Sequence, residues 1–162
     1  MKRRSLLIAL ALSSMSCRPA LFRYVQVDNP PHRLLFVAIF GSTDRVAYLN
    51  DQEVANPARP YQYVPIVLNC DFNLADDRRS WGQNYPNLSF EYYMKHRTCP
   101  LSDRDWDIVN DLSVTSTPEF RIYSANGSQL LGSLSAAAEG DRIVEKLIQF
   151  LVTVGHQSSD RS

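Results

Sequence analysis

Three cysteines and three histidines carry most of the reactive chemistry in this 162-residue chain. Cys70, His96 and Cys99 are soft donors of the type that binds Cu(I) or Zn(II), with His96 three residues before Cys99. A solvated His96 is the plainer reading, and His32 and His156 fall in loop and tail. Asp103, Asp105 and Asp107 alternate as in a calcium loop, but the glycine and distal glutamate of such a loop are missing. They read instead as acids favouring a helix start. No cofactor motif is present, and no metal is expected.

Cys17 belongs to a different chemistry. Lys2, Arg3 and Arg4 precede the apolar run Leu6 to Leu12, and small residues lead to Cys17. This is the layout of a bacterial secretory signal. The ending Ser14-Met15-Ser16-Cys17 resembles a lipobox, which implies diacylation of Cys17, cleavage after residue 16 and a lipid anchor. Ser16 fits that pattern and Ser14 departs from it. Ordinary signal-peptidase cleavage and an uncleaved cytosolic chain are the alternatives. Under the lipoprotein reading the chain resides in the bacterial cell envelope, facing the periplasm from the outer membrane in a Gram-negative cell. With 17 basic and 17 acidic residues the chain is formally neutral, so nothing marks it for nucleic acid.

The elements that would position these residues follow from pattern. Residues 17–33 read as a tether and lead-in strand, with Phe22 to Val27 alternating at an edge. Leu34 to Phe40 is apolar throughout, as in a strand covered on both faces. Ser42 or Thr43 is placed to cap a helix reaching Val54, ended by Pro57, Pro60 and Pro65. Val64 to Asn69 predicts a second buried strand. Asn73 predicts a capped helix with Trp81 and Tyr85 one turn apart. Leu88 to Tyr92 predicts a short extended piece. Ser102 and Asp105 predict a helix to Leu112, with Leu101 and Trp106 as its staple. Strands at Phe120–Tyr123 and Leu130–Leu134 flank the hairpin signal Asn126-Gly127. A helix from Asp141 to Val152 closes the chain. The order gives an α/β domain with a central mixed sheet flanked by helices, over residues 34–155 and followed by a tail at 156–162.

The run from Leu112, LSVTSTPEFRIYSANGSQLLGSL, followed by DRIVEKLIQFL, resembles the C-terminal half of a thioredoxin-like domain. The upstream run FVAIFGSTDRV falls where TlpA/ResA-type exported redoxins carry F-W-A-x-W-C-G-P-C-R, and Phe36, Ala38 and Arg45 match. The resemblance covers roughly residues 34–152. It implies a thioredoxin-like fold with a cis-Pro loop at Thr117-Pro118. It also implies that backbone beside Thr117 pairs with an extended polypeptide.

The two cysteines of that motif are replaced by Gly41 and Asp44. The family mechanism needs a thiolate at a helix start and a resolving thiol one turn on. Neither residue supplies one, so no catalytic residue stands at the dithiol positions. Cys70 and Cys99 remain, as a structural disulfide, as two free thiols or as a relocated redox pair. The expectation is an exported, lipid-anchored thioredoxin-fold module that binds a polypeptide or envelope protein without catalysis. The alternative is a divergent thiol–disulfide oxidoreductase using Cys70 and Cys99. Tyr61, Tyr63, Trp81, Tyr85, Phe90, Tyr92 and Tyr93 supply either core or an aromatic peptide surface.

Overall fold

Strand β1, Leu35–Phe40, is buried at every position and occupies the middle of the fold. The computed structural model describes residues 18–28, 33–44, 52–135 and 142–159. The calls on Cys17, His32, Arg45, Val46 and Leu49 lie outside the described residues. Helix α1 is Gln52–Ala58, β2 is Gln62–Val67 and α2 is Leu74–Asn84. They are followed by α3 (Phe90–His96), α4 (Asp103–Asp111), β3 (Glu119–Tyr123), β4 (Leu130–Ser135) and α5 (Ile143–Ser159).

The sheet order is β2-β1-β3-β4, with β1 parallel to β2 and antiparallel to β3, and β3 antiparallel to β4. This is a mixed sheet with helices on both faces. Alternation along β1 sends Leu35, Val37 and Ile39 to one core, with Met94, Ile108 and Val109 from α3 and α4. Phe36, Ala38 and Phe40 go to a second core, with Val54 from α1 and Leu147 and Leu151 from α5. Each fully buried large apolar side chain contributes about 1.5–3 kcal/mol of transfer free energy, so the central strand anchors both layers.

Several elements differ from expectation for physical reasons. The lead-in segment forms a short 3-10 helix, Ala20–Arg23, rather than an edge strand. Pro57 lies inside α1 instead of ending it, and Pro65 lies inside β2. Strand β2 starts at Gln62 and alternates, with Val64 and Ile66 buried and Val67 53% exposed, so it is an edge strand and not a second fully buried one. The amides of Gln62 and Leu68 donate to the carbonyls of Leu34, just before β1, and of Phe40 at its end. That parity turns the nitrogen of Pro65 away from β1, the position an edge strand tolerates for proline.

The segment expected as extended at Leu88–Tyr92 instead enters α3. The Ser89 hydroxyl accepts the Tyr92 amide at 3.1 Å, Glu91 occupies the first turn, and Lys95 pairs with Glu91 one turn on. A cap and an ion pair outweigh the strand preference of three clustered aromatics, Phe90, Tyr92 and Tyr93. Trp81 meets Phe90 edge-on at 5.6 Å and Tyr85 lies 5.8 Å from Tyr93, so Trp81 of α2 and Tyr85 at its C-cap both turn toward α3. The Asn73 and Ser102 caps form as the spacing predicts. Helix α5 runs to Ser159, past Val152, so residues 156–159 continue a helix rather than starting a tail. The Thr117–Pro118 peptide bond is cis.

Candidate functional site

The turn after β1, Gly41 to Asp44, faces the segment after β2 at one end of the sheet. Asp71 reaches across to it. One Asp71 carboxylate oxygen accepts the Thr43 amide at 3.2 Å, and the other accepts the Thr43 hydroxyl. Asp44 folds back onto its own turn, its carboxylate accepting the Gly41 amide at 2.6 Å. Gly41 is buried, and a Cβ there would stand 2.7 Å from the Asp71 Cα. That is backbone, which cannot swing aside. The space a side chain at position 41 would need is therefore occupied by Asp71.

Burial holds the Asp44 carboxyl above its ordinary range, and the Asp71 charge adds to the effect. The Gly41 amide and the Thr117 hydroxyl work in the opposite direction by hydrogen-bonding the charged form. Both carboxylates are thus engaged in holding the turn. Neither is a nucleophile toward a disulfide, and among the described residues both cysteines are held in a disulfide.

Thr117 is buried, 7% exposed, and its backbone amide donates to the Phe72 carbonyl at 3.0 Å. Its hydroxyl accepts the Phe72 amide at 3.2 Å. Leu74 in turn donates to the Thr115 carbonyl. The chain's own residues 72–74 thus lie where an extended partner was expected to pair, and the Thr117 amide is not free to receive one. The segment is braced from below. Arg121 is buried beside Glu119, its Nε donating to the carboxylate at 2.6 Å, while its other nitrogens hold the Leu112 and Ser113 carbonyls. The Thr115 amide donates to the same Glu119 carboxylate. Burial alone would lower the Arg121 pKa, but the Glu119 carboxylate and the Tyr123 hydroxyl outweigh it and raise it.

Cys70 and Cys99 form a disulfide with their Cα atoms 6.0 Å apart. Cys70 is fully buried, whereas Cys99 is exposed. With both sulfurs in the bridge, neither is a thiolate ligand beside His96. Two residues before Cys99, Arg97 donates to both carboxylate oxygens of Asp77, at 2.7 and 2.8 Å, and to the Asp71 carbonyl at 2.6 Å. The bridge and this guanidinium together fasten the end of α3 to α2 and to Asp71.

No family model, characterised protein or solved structure matches the chain.

The geometry therefore brings Gly41, Asp44 and Thr117 together at one sheet end and leaves Cys70–Cys99 beside them as a crosslink. Sequence pattern missed Asp71, Arg97, Glu119 and Arg121. Glu119 and Arg121 carried a usable signal, two opposite charges two apart on an otherwise apolar strand, which places both on one face. Asp71 and Arg97 carried none, since their partners are distant in the chain. A separate open cleft of about 560 Å³ lies between the end of α2 and α3, lined by Asn84, Tyr85, Tyr92, Tyr93, His96 and Arg97 among others.

Proposed function

We propose that the chain is an exported, lipid-anchored thioredoxin-fold module without a dithiol centre, serving as a non-catalytic binding or structural part of the bacterial cell envelope. The fold reading is supported by the βαβ unit followed by an antiparallel hairpin and a closing helix, on a sheet ordered β2-β1-β3-β4. The observation that carries the functional reading is the packing of Asp71 against Gly41, which leaves no room for a thiol where the dithiol mechanism requires one. The Thr117 amide is already paired, so a partner docks elsewhere on this module.

A second reading has one observation in its favour. Cys99 is exposed within its bridge, so an external thiolate could attack its sulfur. The attack would form a mixed disulfide at Cys99 and release the buried Cys70 as leaving group. Insulin reduction under dithiothreitol decides between the two. The module reading expects equal rates from the wild type and a Cys70→Ser/Cys99→Ser variant. Turnover well above that variant, abolished by either single substitution, replaces it with the oxidoreductase.

A further inference from the structure

We infer that the sheet end closed by residues 18–28 lies on the anionic phospholipid surface that carries the Cys17 lipid, and that the Gly41–Thr117 end is held away from it. The inference rests on the lipid-anchor reading above and adds to it the surface in contact with the membrane and the direction in which the module faces.

The sheet has two ends. Leu35 pairs with Gln62 and Tyr123 at one, and Ile39 pairs with Ile66 and Glu119 toward the other, where Gly41 and Thr117 lie. Residues 20–28 run across the first. Leu21 is buried in the core there, and the Phe22 ring stands 2.8 Å from where a Cβ on Gly127 of the β3–β4 turn would be. Arg23 pairs with Asp111 at the end of α4 at 3.2 Å, and the Tyr24 hydroxyl donates to the same carboxylate. The Asp28 amide donates to the Gln62 side chain, at the start of β2, at 3.4 Å. The segment is a strap fixed in turn to the hairpin, to α4 and to β2.

The strap leaves almost no leash. The Phe22 amide donates to the Pro19 carbonyl at 3.0 Å, so the fastened chain begins at Pro19. Cys17 is two residues earlier, and covalent geometry limits that span to about 7 Å. A long flexible linker would let the module face any way. One this short brings Pro19, and the strap that follows it, against the headgroups around the acylated cysteine. Gly41 stands six residues beyond Leu35 along β1, about 20 Å farther from that end.

Charge fits the same partner and the same direction. Arg18 and Arg59 are exposed at the strapped end, Arg59 in the loop leading into β2, and neither has an ion-pair partner among the described residues. Arg23 and Arg33 at this end are already tied to Asp111 and Asp28. The exposed Asp107, near Tyr24, opposes the two free guanidiniums, which leaves their balance positive. Arginines beside the leash are placed to hydrogen-bond headgroup phosphates. The far end presents the Asp44 and Asp71 carboxylates, which an anionic surface repels.

The test places the full chain, purified with its native acylation, on vesicles of phosphatidylethanolamine and phosphatidylglycerol that contain a headgroup-nitroxide lipid. Gln26→Cys in the strap and, separately, Ser42→Cys at the far end each carry a fluorophore. Both side chains are exposed, and with Cys70 and Cys99 bridged and Cys17 acylated the new thiol alone reacts. The label on Gln26→Cys is expected to lose most of its fluorescence to the nitroxide, and the label on Ser42→Cys to keep nearly all of its own. Adding Arg18→Gln/Arg59→Gln is expected to reduce the quenching at position 26 while the chain stays on the vesicles. Equal quenching at the two positions, or stronger quenching at 42, overturns the inference, and quenching indifferent to the double substitution overturns the arginine contact. In the unsubstituted chain the vesicles are expected to slow amide exchange over residues 18–28 and to leave 41–44 unchanged. The reverse pattern overturns the inference without any variant. A chain that fails to float with the vesicles refutes the anchor, and the inference falls with it. A chain that floats with the wrong label quenched refutes the orientation and leaves the anchor standing.

Discussion

At position 41 the absence of a side chain lets Asp71 approach the turn closely enough to hold the Thr43 amide and hydroxyl. Adding one methyl there forces the two backbones apart. Gly41→Ala is therefore expected to destabilise by about 1–3 kcal/mol in urea unfolding, the usual cost of overpacking a fixed site. An unchanged midpoint refutes the close approach. A Gly41→Cys/Asp44→Cys variant meets the same obstacle and is expected to unfold earlier than the wild type without gaining insulin reduction. Asp44 adds a pH dependence of defined sign. Burial and the Asp71 charge raise its folded pKa above the unfolded value, so the folded state holds that proton longer. Its contribution is full below the unfolded pKa, near the ordinary 3.8, and is lost as pH rises through the folded one. Asp44→Asn keeps an oxygen for the Gly41 amide and removes the titration. The variant is expected to gain on the wild type at neutral pH and to lose that advantage below about pH 4, as read from unfolding midpoints across the acid range. Gly41 and Asp44 stood out in the sequence because the resemblance sets them at the spacing of a dithiol motif. The role of Asp71 was not legible there, because it exists only once β2 lies beside β1.

At the scale of elements, local signals were readable wherever a single residue decides the outcome. The Asn73 and Ser102 side chains cap α2 and α4, and Asn126-Gly127 turns the hairpin with Gly127 at φ 67°. The apolar run through β1 was read correctly as a strand covered on both faces. Reading failed where two propensities competed, as at Ser89–His96, and where the distinction between edge and interior depends on neighbours, as at β2. The cross-links between elements carry the measurable energies. The disulfide closes the chain between Cys70 and Cys99, a sequence separation of 29, and its reduction is expected to cost about 3 kcal/mol of stability by chain entropy. Urea unfolding with and without reductant measures it, and a difference near zero would mean the bridge does not brace α3. The buried Glu119–Arg121 pair predicts a larger effect. Glu119→Gln strands a buried guanidinium and is expected to cost roughly 3–5 kcal/mol. Replacing both by Gln and Met removes the charge altogether and is expected to cost less than the single change.

At the scale of the molecule, β1 divides two apolar cores, one sealed by α3 and α4 and the other by α1 and α5. In the second core the closing helix α5 is tied to the sheet and to the turn before β2. Gly132 of β4 approaches Phe150 and Val154 of α5, and the buried Tyr61 hydroxyl donates to the Leu151 carbonyl at 2.7 Å. Among the described residues no helix is long and apolar enough to cross a membrane, and the longest, α5, buries one face against the sheet. Attachment to an envelope membrane, as proposed here, then depends on the N-terminal segment and on Cys17. Acyl chains on one cysteine suffice only when more than one is present, since a single chain of ordinary length binds reversibly. Expression in a bacterial host is expected to leave the wild type in the membrane fraction and to move a Cys17→Ser variant to the soluble envelope extract. Its folded domain should show an unchanged unfolding midpoint, as the proposed role of Cys17 as a lipid carrier requires. Mass spectrometry separates the alternatives. A wild-type product that begins at Cys17 and carries added acyl mass supports the anchor. One that retains Met1, or a Cys17→Ser product that stays with the membrane, removes it.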